Sequence, residues 1–168
     1  RSSEASDVYK SKRMMTPYIL SKGLNRLAGF RHFGFNSPSP SENNPVYGYE
    51  LWVTVPEDYP VEAPCEKKVF KGGLYASVTT GIGEIGERWG QLHQWVMAHG
   101  SYEMDPDTPW LEECVNFDTF ISGGPDMQLD LLQPIRPHKQ GPMPSQPALP
   151  PPVTARPQEA PCLPTIPG

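Results

Sequence analysis

The sequence predicts an α+β protein of two tandem β-α-β-β units, whose strands form an antiparallel sheet with both helices on one face. Three observations carry that prediction. Residues 47–55 alternate with the period of a strand, and residues 82–99 carry an apolar stripe with the period of a helix. The order of such elements then repeats along the chain.

Residues 1–16 are polar and mixed and are expected to lack fixed structure. Tyr18 to Leu27 has apolar residues at Leu20, Leu24 and Leu27, a helical spacing that Gly23 weakens. Phe30 to Asn36 reads as a short strand, and Ser37 to Pro45, rich in Ser, Pro and Asn, as a loop. In the next strand Tyr47, Tyr49, Leu51, Val53 and Val55 share one face, and Glu50, Trp52 and Thr54 share the other. Pro56 to Pro64 is a connector. Lys67 to Thr80 reads as a strand bent at Gly72-Gly73. The clearest helix is Ile82 to His99, where Ile82, Ile85, Trp89, Leu92, Trp95 and Val96 fall on one stripe before Gly100 and Asp105-Pro106 stop it. Trp110 to Phe117 and Met127 to Ile135 are the last two strands, the second ended by Pro134 and Pro137.

From residue 67 the order is strand, helix, strand, strand. Residues 17–55 give the same unit without its first strand. The strand pairs also align in register: Asp130 in Leu129-Asp-Leu-Leu matches Glu50 in Tyr49-Glu-Leu-Trp, and Gly34-Phe-Asn36 matches Glu112-Glu-Cys114. An internal duplication follows, with units at 17–60 and 67–135.

Composition sets the outer boundary. Proline makes up 22 of 168 residues, about 13% against a usual share of roughly 5%. Half of these prolines lie in 136–168. Proline donates no backbone hydrogen bond, so this tail is expected to be disordered. The net charge of −5 is concentrated in 1–135, since the tail carries three basic residues against one acid. An acidic body is a poor match to a phosphate backbone, which argues against direct nucleic-acid contact by this segment. No run approaches the ~18 apolar residues of a membrane span. Cys65, Cys114 and Cys162 are odd in number and form no CxxC, as in a reduced, cytoplasmic protein.

Gly81-Ile-Gly-Glu-Ile-Gly86 is a literal G-x-G-x-x-G between a strand and a helix. A dinucleotide fold needs an apolar strand buried on both faces before it, whereas Leu74 to Thr80 alternates. The glycines therefore read as a turn from strand into helix, and no cofactor is expected. His93 and His99 are six apart on the helix, on different faces, and no paired Cys or His completes a metal site.

What remains is acid beside aromatic on strands. Glu50 shares a face with Trp52, and Glu112 shares one with Trp110 and Cys114. A carboxylate on a strand is most often on a solvated face, but exposed tryptophan is uncommon without a partner. A carboxylate held against aromatic walls suits a lipophilic cation: the ring faces attract the charge and the carboxylate neutralises it. A desolvated carboxylate also has a raised pKa and serves as a general base, so binding and hydrolysis call for similar residues.

Tyr47–Val55, Gly72-Gly-Leu-Tyr-Ala76, Ile85-Gly-Glu-Arg-Trp89 (with Gly86, Glu87 and Arg88 between), Trp110-Leu-Glu-Glu113 and Leu129–Ile135 together resemble the GyrI-like effector-binding domains. These small-molecule modules occur alone or behind the DNA-binding parts of AraC- and MerR-type bacterial regulators. The resemblance covers residues 30–135 in collinear order. It implies tandem β-α-β-β units around a ligand cleft, with a cleft glutamate at the position of Glu112 and with Glu50 and Trp52 as neighbours. Family members often have Tyr where this chain has Cys114, and the first strand and much of the first helix are not recognisable in 1–29.

The reading that follows is a binding module for lipophilic, cationic or neutral organic molecules, lined by Glu50, Trp52, Tyr75, Trp110 and Glu112. The resemblance also implies a hydrolase of cyclopropane-type genotoxins, with Glu112 activating water and Trp52 or Trp110 stacking on the ligand. A third implication is an acidic protein-binding domain directed at a partner such as gyrase. The chain opens at Arg1: a basic helix-turn-helix upstream of it, a DNA-binding domain, would favour a regulator, and a start near Met14 a stand-alone binder or hydrolase.

Overall fold

The computed structural model describes residues 15–37, 48–138, 154–158 and 164–167. Two units emerge, Arg1–Lys71 with Cys162–Gly168, and Gly72–Pro161. In chain order the elements are α1 (15–22), β1 (His32–Asn36), β2 (Tyr49–Thr54), β3 (Lys68–Val69), β4 (Gly73–Gly81), α2 (Ile85–Ala98), β5 (Tyr102–Met104), β6 (Leu111–Cys114), α3 (Phe117–Ser122), β7 (Gln128–Pro137), β8 (Thr154–Gln158) and β9 (Pro164–Pro167). The fold is α+β with antiparallel strands, as the sequence predicts. All but Ser37 of the expected loop at 37–45, and most of the segment 1–16, lie outside the described residues, although 15 and 16 are already helical.

In the first unit the expected stripe through Leu20, Leu24 and Leu27 does not form. Met15, Ile19 and Leu24 are the buried residues, while Leu20 is 47% exposed. Gly23 explains the change: it adopts a left-handed conformation (φ +63°) that ends α1 and turns the chain into a 3-10 turn at Leu24–Arg26. No single helical face can run through that break. Beyond it, β1 pairs antiparallel with β2, Phe33 opposite Trp52 and Phe35 opposite Glu50. Gly34 lies opposite Leu51, and the Tyr49 ring crosses over it so closely that any Cβ would collide with the ring. Sheet partners also divide the expected long strand at 67–80. β3 pairs with β9 in the first unit, whereas β4 belongs to the second.

In the second unit β7 pairs with β4 along one edge and with β6 and then β5 along the other. α2 covers one face of this sheet. Its Leu92 and Val96 pack with Ala76 and Val78 of β4 and Leu129, Leu131 and Ile135 of β7. Each such side chain contributes about 1.5–3 kcal/mol of apolar burial. Ile82, the expected start of the helical stripe, is 43% exposed because a 3-10 turn at Ile82–Glu84 precedes α2.

Two further differences have local causes. The strand expected to run to Phe117 stops at Cys114, and α3 follows. Asn116 accepts hydrogen bonds from the backbone of Asp118 and Thr119 (2.9 and 3.2 Å), and this cap starts a helix where a strand was expected. Pro134 does not end β7. Its carbonyl accepts from Asp105 N at 3.1 Å, so its missing N–H also faces that side, just past the last residue of β5. Strands β8 and β9 come from the tail that its proline content marks as disordered. β8 occupies the outer edge beside β4, a place that tolerates proline.

Candidate functional site

The helix-facing side of the second unit carries the candidate site. On β7 this face reads Leu129, Leu131, Gln133 and Ile135, and register places Glu112 of β6 opposite Leu131. Glu112 therefore points to the side that α2 covers. Trp110, two residues earlier, continues the same alternation. From above, α2 supplies Trp89 and His93, one turn apart and so on one helix face.

These side chains form a continuous chain of contacts. The indole N–H of Trp89 donates to Glu112 Oε1 at 3.2 Å. The Trp89 and Trp110 rings lie 5.2 Å apart with an interplanar angle of 42°, and His93 stands 5.7 Å from Trp110. At its far end His93 Nδ1 meets Gln133 Nε2 at 3.1 Å, accepting the amide hydrogen when the ring carries its proton on Nε2. Trp89, His93, Trp110 and Glu112 are each partly exposed, whereas Gln133 is wholly buried. The result is a carboxylate bonded to the edge of one indole, with a second indole packed against the first. Such a group attracts a desolvated organic cation from both sides.

Tyr75 lies on the opposite face of the same sheet. It is 1% exposed, and its hydroxyl donates to Pro109 O at 3.1 Å, bracing the residue that precedes Trp110.

Glu50 and Trp52 belong to the first unit and bond to each other. Trp52 Nε1 donates to Glu50 Oε2 at 3.0 Å, and Lys68 Nζ donates to the same oxygen at 3.1 Å. Burial pushes the Glu50 carboxyl pKa upward, but hydrogen bonds from Ser37, Trp52 and Lys68, with the Lys68 charge, hold it below its ordinary value. Glu50 is thus a stabilised anion, the reverse of the raised pKa that a general base needs. Trp52 is 8% exposed, edge-on to Phe35 (4.6 Å) and 5.4 Å from Phe70, so it is a core residue of its unit.

Among the described residues no three His, Cys, Asp or Glu side chains gather where they could hold an ion. Among the described residues, Cys65 and Cys114 are in no disulfide. No helix among the described residues is long and apolar enough to cross a membrane. A Cβ at Gly81, Gly83 or Gly86 would meet nothing within 4 Å, so the G-x-G-x-x-G glycines brace no close backbone approach.

Sequence reasoning missed three members of the site. In the sequence Trp89 belongs to the apolar stripe of α2, and His93 is weighed only as a metal ligand, on a different helix face from His99. Gln133 carried a usable signal: it is the polar break in an alternating row of Leu129, Leu131 and Ile135 that faces the core.

The fold and this site describe a small-molecule-binding module, and comparison with known families agrees. The chain belongs to the Cass2 family of integron-associated effector binding proteins, a GyrI-like effector-binding family whose model matches residues 3–135. The match begins far earlier than residue 30, so the family includes the N-terminal segment that shows no recognisable motif. No curated protein and no solved structure matched the chain in the corresponding searches.

Proposed function

We infer that this protein binds lipophilic organic cations as a ligand-sensing module, and that the second unit carries the site, with Trp89 and Trp110 as walls and Glu112 as counter-charge. The observation behind this reading is the 3.2 Å hydrogen bond that fixes the Glu112 carboxylate beside two partly exposed indoles. A cation about 5 Å from that carboxylate gains about 2–3 kcal/mol at an effective dielectric of ~20–40, a ten- to hundredfold effect on affinity. Membership of an effector-binding family supports a small organic ligand over a macromolecular one. Glu50, already paired with Lys68, serves the first unit and not the ligand.

Titration calorimetry of the full chain with tetraphenylphosphonium and with neutral triphenylphosphine oxide tests this. Glu112→Gln is expected to weaken the phosphonium at least tenfold and to change the neutral compound less than twofold. Equal losses for both would refute the charge pairing.

A further inference from the structure

Gln133 is the one feature of this cluster that cation binding leaves unexplained. It is 0% exposed on a face otherwise built of Leu129, Leu131 and Ile135, where a leucine would fill the space without a polar atom. Its amide nitrogen is engaged by His93 Nδ1, but its Oε1 is buried with no hydrogen-bond partner among the described residues. A buried acceptor left unmade is unfavourable, because it has given up its bonds to water and gained none in return. The residue opposite on β4 is Ala76, whose methyl group donates no hydrogen bond, and on the β6 side the Glu112–Leu131 register carried two residues back sets Trp110 opposite Gln133. Glu112 sits opposite Leu131, so Gln133 is its diagonal neighbour on the same face, a Cβ separation of about 7–8 Å. Gln133 is nonetheless joined to the site: His93 is bonded to its amide nitrogen, and the Trp110 ring lies against His93, both of them partly exposed.

We propose that Gln133 Oε1 is the specificity-determining acceptor of the site, receiving an N–H from the ligand's cationic nitrogen while Glu112 neutralises its charge. The ligand class is thereby narrowed to protonated amines, amidinium and guanidinium compounds, in preference to quaternary ammonium compounds of equal charge and apolar surface. The ligand head parts the His93–Trp110 ring pair to reach the carbonyl. His93, holding the amide nitrogen, fixes the amide so that its oxygen stays available. This inference rests on the cation reading of the same site and adds the requirement for a hydrogen-bond donor.

The test uses two probes on the full chain: protonated naphthylmethyl-dimethylamine, which has one N–H, and naphthylmethyl-trimethylammonium, which has none. Affinities are measured by tryptophan fluorescence and calorimetry at pH 7. The wild type is expected to favour the tertiary ammonium. Gln133→Met, which keeps the chain length and removes the acceptor, is expected to weaken that probe about tenfold and leave the quaternary probe within twofold. Gln133→Leu serves as the second variant, and unfolding curves establish that each is folded. Equal losses for both probes, or no loss for either, overturn the inference while the cation reading stands. A wild type that binds neither probe nor tetraphenylphosphonium overturns both.

Discussion

Replacing Glu50 with leucine removes the acceptor of three donors, Ser37, Trp52 and Lys68, and the structure sets the cost of losing the last two. Trp52 is 8% exposed, so its indole N–H, which now reaches Glu50 Oε2 at 3.0 Å, would be left buried and unpaired, at about 1–3 kcal/mol. The Lys68 side chain is 43% exposed and returns to water, so the lost ion pair adds only about 0.2–1 kcal/mol. Glu50→Leu is therefore expected to cost about 2–3 kcal/mol, and Glu50→Gln, whose amide oxygen still accepts from Trp52, less than about 1 kcal/mol. At about 2–4 °C per kcal/mol for a chain of this size, Tm falls by about 4–12 °C in the first case and less than about 4 °C in the second. Thermal unfolding followed by near-ultraviolet circular dichroism reads both, and calorimetry with tetraphenylphosphonium reads binding in the same samples. Equal Tm losses for the two variants would show that the indole hydrogen bond carries nothing. An unchanged Tm with abolished binding in Glu50→Gln would make Glu50 a ligand group and refute its assignment to the first unit's framework.

Three other outcomes follow from the same geometry. The folded state holds the Glu50 carboxyl pKa below its reference value of 4.5, so its stabilisation is complete above that pH and is lost as pH falls through the folded pKa; the Tm gap between wild type and Glu50→Gln should close on acidification below pH 4.5. Leu92 is 0% exposed between α2 and the sheet, and Leu92→Ala is expected to cost about 2–5 kcal/mol in urea unfolding, with a lower midpoint and an unchanged slope. Tyr75→Phe removes the hydroxyl that braces Pro109, and it should cost about 1 kcal/mol and weaken tetraphenylphosphonium binding several-fold, measured by quenching of tryptophan fluorescence.

The strand pairing was legible in the sequence because side-chain alternation and repeat alignment constrain each other. Aligning Glu50 with Asp130 and Gly34 with Glu112 matches the observed ladders: Phe35 faces Glu50 as Glu113 faces Asp130, and Gly34 faces Leu51 as Glu112 faces Leu131. A one-residue slip would have broken every pair. Capping and backbone conformation were less legible. Asn116 reads as an ordinary polar residue until its side chain is seen holding two backbone donors, and Gly23 weakens a helical pattern without revealing that it ends the helix. The candidate site was half legible. Glu112 and Trp110 lie on one strand and share a face by parity, but Trp89 and His93 join them from a helix, and periodicity alone does not say which strand a helix face will meet.

The repeat also separates the two glutamates that the sequence presents as alike. Glu50 corresponds to Asp130, and both acids are bonded within their own unit, Glu50 to Trp52 and Lys68 and Asp130 to Thr79. An acid present at the same place in both repeats, satisfied locally each time, belongs to the framework. Glu112 corresponds to Gly34, where the first unit has no side chain and lays the Tyr49 ring over the backbone. By the same alignment Gln133 corresponds to the buried Val53, and Trp110 to His32. The carboxylate, the buried amide and the indole therefore have no like counterparts in the first repeat. At matched register positions the second unit departs from the first with a buried amide where the first has Val53 and a carboxylate where it has Gly34. That departure is unfavourable for stability taken alone, since Val53 fills its place with no polar atom left unmade. A ligand that supplies the missing donor and positive charge removes this penalty, and the Gln133→Met comparison measures by how much.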